Sequence, residues 1–331
     1  MIDNQIKSLL LALSNSKKIS AIDLIQGAWG GYGQLLRISV IGGNINSLII
    51  KQIDTPQPDQ HPKGWNTNRS HQRKLTSYQV ESHWYQHYGQ FHQQKSCYIP
   101  RHLFSDKKKD QQLLVLEDLR EQGFPIVKAH CSLAEAKTCI TWLAQFHLLH
   151  MHRAPLGLWE TGSYWHLATR PDELENLQDS PLKAAANHID QILSACPYQT
   201  LIHGDAKLAN FCFSEDGKQV AAVDFQYVGQ GCGMKDLILF ISSAVKPEHC
   251  KQQAPLLVDH YFKALKQAAE NSAVDAEQLE NAWRPLYAIA WADFQRFVKG
   301  WSPDHWKIND YTESLTQQAL GEIDALLNNA T

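Results

Sequence analysis

This chain carries none of the usual signs of cysteine pairing. Its seven cysteines (Cys97, Cys131, Cys139, Cys196, Cys212, Cys232 and Cys250) are odd in number, scattered and free of any CxxC pair. That argues against a disulfide framework and against a cysteine zinc site, and makes a reducing cytosol the natural compartment. Excess positive charge is missing too: 31 Lys and Arg stand against 34 Asp and Glu, for a net charge of −3. There is no broad basic footprint for nucleic acid, and the short run Lys107-Lys108-Lys109 reads as a solvated loop. Long apolar runs are absent. The leading segment MIDNQIKSLLLALSNSKK holds only a brief one, short for a signal sequence and far too short to span a membrane, so it reads as an amphipathic helix. No repeat or low-complexity tract stands out. His147, His150 and His152 come without an HExxH or HxHxDH pattern, so they read as histidines packed near a helix end rather than metal ligands.

What is present suits a large folded protein, since 44% of the 331 residues are hydrophobic, enough for an extensive core. Residues 21–53 predict strands over Ala21–Gln26, Gln34–Val40 and Ser47–Ile53, joined through glycine clusters at 27–33 and 42–43 into an antiparallel meander. A long polar loop follows, then a helix over Leu75–His87 and a buried strand over Gln111–Leu116. From Leu133 onward the pattern is helical (Leu133–Met151, Ala184–Ala195, Leu256–Asn271, Glu277–Lys299, Ile308–Leu327), interrupted by short strands at Thr200–His203, Asn210–Ser214 and Val220–Asp224. A boundary near Asp118 therefore divides the chain into 1–117 and 118–331.

The segment Leu201-Ile202-His203-Gly204-Asp205-Ala206-Lys207-Leu208-Ala209-Asn210 ends an apolar strand in a carboxylate, then supplies a cation and an amide. Phosphoryl transfer needs such a set: charge neutralisation around the phosphates and an aligned acceptor hydroxyl. Asp205 can take the acceptor's proton, Lys207 can face the transferring phosphoryl group and Asn210 can ligate Mg²⁺. Further on, Ala221-Ala222-Val223-Asp224-Phe225 delivers a second carboxylate, a metal-bridging ligand, with Asp216-Gly217 as the turn between the two segments. Upstream, Lys51 is flanked by aliphatic residues on a buried strand and requires a counter-charge. Glu81 on the next helix is the expected partner, with Glu117 and Glu135 also available, and Lys51 would contact the nucleotide phosphates. Gly27-Ala28-Trp29-Gly30-Gly31-Tyr32-Gly33 can bring backbone N–H groups to phosphate oxygens, with Gly30, Gly31 and Gly33 as the contact positions.

HGDAKLAN at 203–210 and VDFQ at 223–226, supported by Lys51, Glu81 and LVLEDL at 113–118, resemble the protein-kinase-like small-molecule phosphotransferases: the aminoglycoside phosphotransferase and choline kinase group, in its choline-kinase-like or ecdysteroid-kinase-like branch. The resemblance covers most of the chain. It implies an α+β, two-lobed protein-kinase-like fold with a small N-lobe (antiparallel sheet and one main helix) and a larger, mostly helical C-lobe. It implies ATP and Mg²⁺ as cofactors, adenine held near the 114–119 hinge at Glu117 and Leu119, and His203 and Asp236 as structural residues of the catalytic loop. Gln226 stands where protein kinases carry the Gly of DFG, and Gly204 where they carry an Arg that grips a phosphorylated activation loop. The stretch from Asp224 to Asp236 is too short for a regulated activation segment. These departures favour a small-molecule acceptor over a protein, with no nucleic acid, membrane or obligatory protein partner expected. Tryptophans cluster where the acceptor should bind, giving Trp165, Trp291, Trp301 and Asp293 as acceptor contacts. The alternative is a catalytically inactive ligand-binding module of the same fold, against which the complete set Lys51, Asp205, Asn210 and Asp224 argues.

Overall fold

A computed structural model describes residues 2–27, 31–54, 68–92, 95–108, 111–270 and 272–329. The backbone divides into two compact units: Met1–Val127 with Cys212–Gln226, and Lys128–Phe211 with Tyr227–Thr331. The division falls later than the boundary read at 117/118, and it returns part of the second half to the first unit. The reason is local. Beyond Glu117 the chain turns through Leu119–Gln122 into a short strand, Ile126–Val127, that pairs antiparallel with Phe213 and Cys212.

The first unit is built on a five-stranded antiparallel sheet of β1 (Lys18–Gly27), β2 (Gly33–Ile41), β3 (Ser47–Asp54), β4 (His102–Lys108) and β5 (Gln111–Glu117), in the order β1-β2-β3-β5-β4. β4 was not foreseen: it is an edge strand ending in exposed Asp106, Lys107 and Lys108, too polar to read as a strand. Helix α1 (Asn4–Ser14) is started by Asp3, whose carboxylate accepts the Ile6 N–H, and it places Leu10 in a core with Ile38, Val40, Leu48, Ile50 and Val115. Side chains alternate along β3, so Leu48 and Ile50 enter that core while Lys51 and Ile53 point to the opposite face. There Ile53 packs on Tyr78 of helix α2 (Asn68–His87), which begins earlier than the predicted Leu75.

The second unit is mostly helical. α3 (Leu133–Leu149) opens with a capping box between Ser132 and Glu135, and α4 (Pro171–Asn176) and α5 (Ser180–Ser194) follow. After the segment that carries Asp205 come α6 (Met234–Ala244), α7 (Pro247–Ala269), α8 (Ala276–Trp283), α9 (Leu286–Trp301) and α10 (Asp310–Asn329). The single helix expected over 277–299 is two helices, because Pro285 has no N–H to continue the first. Two short strands frame the loop, Thr200–Ile202 pairing antiparallel with Gly229–Gly231. Among the described residues, no helix is long and apolar enough to cross a membrane.

Candidate active site

In the first unit, three charged groups gather on the sheet face turned to α2. Lys51 Nζ lies 2.6 Å from Glu81 Oε2 and 3.3 Å from Asp224 Oδ1. Tyr78 and Glu81 are one helical turn apart, so the packing of Tyr78 on Ile53 brings Glu81 over the neighbouring Lys51. The two other carboxylates that Lys51 could have used are engaged elsewhere. Glu117 accepts from the Tyr98 hydroxyl at 2.6 Å and Arg101 Nε at 2.9 Å, and Glu135 is held by Lys128 and its capping box. Burial pushes the Glu81 carboxyl up to about 6; Lys51 opposes that rise and Asp224 adds to it. Burial also works against the Lys51 charge, but Glu81 and Asp224 outweigh it and raise the ammonium above its ordinary value.

Asp224 closes the short strand Val220–Ala222 and has φ +70°, a left-handed backbone uncommon outside glycine. Its backbone N–H reaches the Tyr85 hydroxyl at 3.3 Å, and the next residue, Phe225, stacks on Trp84 with ring centroids 4.9 Å apart. The aspartate is thus fixed through its main chain and its neighbour.

In the second unit, strand Thr200–Ile202 runs into the loop that carries Asp205. Asp236, wholly buried near the start of α6, accepts the His203 N–H at 2.6 Å, the Gly204 N–H at 2.9 Å and His147 Nε2 at 3.0 Å. A carboxylate only accepts, so His147 Nε2 carries a proton; its Nδ1 lies 2.6 Å from the Tyr261 hydroxyl. His203 Nδ1 accepts the Asp205 N–H at 3.2 Å. Gly204 has φ +76°, and a Cβ there would collide with Tyr227 O, so neither the conformation nor the space admits a side chain. Asp205 Oδ2 then meets Lys207 Nζ at 2.8 Å and Asn210 Nδ2 at 3.2 Å, and Asn210 Nδ2 also donates to Asp205 O at 2.8 Å.

The other expected positions divide. Gly31 (φ +78°) opens onto free space, Gly33 sits where a Cβ would strike Gln52 O, and Gly30 lies outside the described residues. Leu119 packs with Tyr98, Phe124 and Ala221, just beyond Asp118. Despite burial, hydrogen bonds from Arg37, Ser47 and the Arg120 N–H hold that aspartate below the ordinary carboxylate range. Trp165, Trp291 and Asp293, expected as acceptor contacts, are all buried. Asp293 is engaged by Lys235 at 3.1 Å, Arg296 at 2.7 Å and Trp165 Nε1 at 2.9 Å. Burial disfavours its charge, yet Lys235 and Arg296 hold it well below the ordinary range. Only Trp301 of that group is partly exposed, in a row with Phe297, His305 and Trp306.

Two residues emerge only from the structure. Lys307 Nζ donates to Ser242 Oγ at 2.9 Å between the rings of Phe294 and Trp306, and burial lowers it to about 8 against the opposing charge of Asp205. Gln226 is buried and bonded to Asp224, where the sequence offered only a departure from glycine. For Mg²⁺ the donor chemistry fits. Asn210 Nδ2 is engaged by Asp205, so Oδ1 is the oxygen this residue would offer, and Asp224 carries a carboxylate; both are hard oxygen donors of the kind Mg²⁺ takes. Among the described residues, no three His, Cys, Asp or Glu side chains are grouped so as to hold a metal ion.

Solved structures of similar fold include the GDP complex of wild-type aminoglycoside 2'-phosphotransferase-IIIa (TM-score 0.52, 11% identity, 97% of this chain and 99% of that chain) and the microcompartment-associated aminopropanol kinase (TM-score 0.51, 13% identity, 99% and 98%). Identities this low bear on the fold alone. No curated protein matches the chain in sequence. The ecdysteroid kinase-like family matches residues 41–156 and 161–273, more than half of the chain. With its antiparallel five-stranded sheet, its helical second unit and this family match, the chain belongs to the ecdysteroid kinase-like family, within the aminoglycoside phosphotransferase group of small-molecule kinases.

Proposed function

We propose that the protein transfers the γ-phosphoryl group of ATP to a hydroxyl of a small molecule. The observation that carries this proposal is the Asp205 set: a carboxylate paired with Lys207 and Asn210 on a loop whose backbone is anchored by Asp236. Asp205 accepts the acceptor's proton and orients its oxygen, and Lys207 sits beside it to meet charge on the transferring group. Lys51, held by Glu81, binds nucleotide phosphate oxygens, and the backbone near Glu117 and Leu119 receives the base. Asn210 and Asp224 are the residues that would hold Mg²⁺, which would supply charge neutralisation at the phosphates. The acceptor class is set by the second unit; the named neighbours act on an aminoglycoside and an amino alcohol, and both chemistries belong in the test alongside choline and hydrophobic alcohols.

The test is an ATP-consumption screen across those acceptors with thermal-shift detection. A ligand at a hundred times its dissociation constant raises stability by about 2.7 kcal/mol. Acceptor-dependent ATP loss that vanishes in Asp205→Ala is the expected result. Tight nucleotide binding without turnover on any acceptor would leave a binding module in its place.

A further inference from the structure

We propose that Gln226 is a positioning residue for Asp224, tying that carboxylate to helix α2; the inference rests on the kinase function proposed above. Gln226 Nε2 donates to Asp224 Oδ1 at 2.6 Å. Its Oε1 accepts from Lys74 Nζ at 2.8 Å and from Ser77 Oγ at 3.2 Å. The amide orientation is fixed by its neighbours, since the reversed amide would set NH₂ against an ammonium and oxygen against a carboxylate. The amide does both jobs at once. Glutamate would oppose Asp224 with like charge, an aliphatic would leave Lys74 and Ser77 without this acceptor, and the glycine of protein kinases has nothing to reach with.

Lys74, Ser77, Tyr78 and Glu81 lie on one face of α2 by helical spacing. That face reaches Asp224 Oδ1 twice: through Lys74, Ser77 and Gln226, and through Glu81 and Lys51. Lys74 is itself seated over the Tyr78 ring, 4.6 Å from its centroid. The result is a closed circuit of hydrogen bonds within the first unit. It joins the residue proposed to hold the nucleotide phosphates to the one proposed to hold Mg²⁺, so both are registered by a single helix. Gln226 is the member that fixes the metal-ligand carboxylate.

The experiment is calorimetric titration of ATP into the full chain, once with Mg²⁺ and once with EDTA, for wild type, Gln226→Met and Lys74→Met. Loss of one charge-assisted bond predicts that Gln226→Met gives up about tenfold of the Mg²⁺-dependent gain in affinity while its affinity in EDTA stays within about twofold of wild type. Lys74→Met should move the same way by about threefold. A residue that served stability alone would lower the melting temperature without splitting the two titrations. If Gln226→Met melts below the assay temperature, Lys74→Met carries the test. Variants that keep the full Mg²⁺ gain overturn the inference and leave the kinase function standing. A wild type with no Mg²⁺-dependent affinity removes both.

Discussion

Lys51 Nζ lies 2.6 Å from Glu81 Oε2, in a pair whose carboxyl has been pushed by burial to about 6. The pair is therefore expected to lose its charge on the carboxyl side as pH falls through that value. The groups that face it are Asp224, Lys74 and Tyr85.

Two pH effects of opposite sign are expected from Glu81. The folded state holds this proton more tightly than the unfolded chain, whose value is near the ordinary 4.5. The stability contribution is therefore complete below that value and is lost as pH rises through 6, by roughly 2 kcal/mol. Nucleotide affinity runs the other way, because the carboxylate that holds Lys51 exists only above about 6. Between pH 7.5 and pH 5.5, wild-type affinity for ATP should weaken by about threefold to tenfold, the net worth of one ordinary hydrogen bond. Glu81→Gln should show neither trend. Calorimetric titration and thermal melts of both proteins across this range decide the matter; the same pH limb in Glu81→Gln would falsify the assignment.

Asp205→Ala should lower turnover by roughly 10²–10⁴-fold, the range for a positioned acid-base group, with ATP binding kept. Asp205→Asn retains the shape but removes the anion that pairs with Lys207 and takes the acceptor's proton, so it should be impaired nearly as much. Steady-state turnover beside a nucleotide titration separates the two effects, and full activity in either variant refutes the role.

Much of the candidate site was legible in the sequence because its residues fall on strong local signals. The strand-to-loop segment at Asp205 and the strand-end Asp224 can be found from spacing alone. Glu81 could be named but not chosen, since Glu117 and Glu135 were chemically equal. Only the capping box at Ser132 and the Tyr98–Arg101 pocket remove those two. For Trp165, Trp291 and Asp293 the sequence could not distinguish two settings: aromatic and acidic residues in a helical region fit a ligand cage as well as a buried network, and burial is not written in composition. Lys307 and the links from Gln226 to α2 depend on contacts between residues far apart in the chain, which no local pattern encodes.

Removing the Asp236 carboxylate should be costly to the fold. It is wholly buried and accepts two backbone N–H groups and His147, so Asp236→Ala strands three donors at once. A loss of about 3–5 kcal/mol is expected, as for a broken buried charged network. Asp236→Asn keeps one acceptor oxygen but turns an NH₂ toward another donor, and should lie between wild type and alanine. Denaturant unfolding measures the series; an alanine variant within about 1 kcal/mol of wild type, the usual size of a single net hydrogen bond, contradicts this bracing role.

Asp293 provides the sharpest contrast between architecture and acceptor binding. Its carboxylate faces Lys235 and Arg296 inside the second unit, and all three are buried. Asp293→Ala leaves two buried cations without their anion, which predicts a loss of roughly 3–5 kcal/mol. Because the folded value of Asp293 is depressed, its stabilising contribution is present at neutral pH and is lost only as the medium becomes strongly acidic. An acceptor contact would behave differently: the acceptor KM would rise while stability stayed near wild type. The discriminating measurement pairs denaturant unfolding at pH 7 with acceptor KM determined at a temperature where the variant is still folded. Lost stability with an unchanged KM is the expected outcome. The reverse pattern would return Asp293 to the acceptor site and would require the Lys235 and Arg296 contacts to open during turnover.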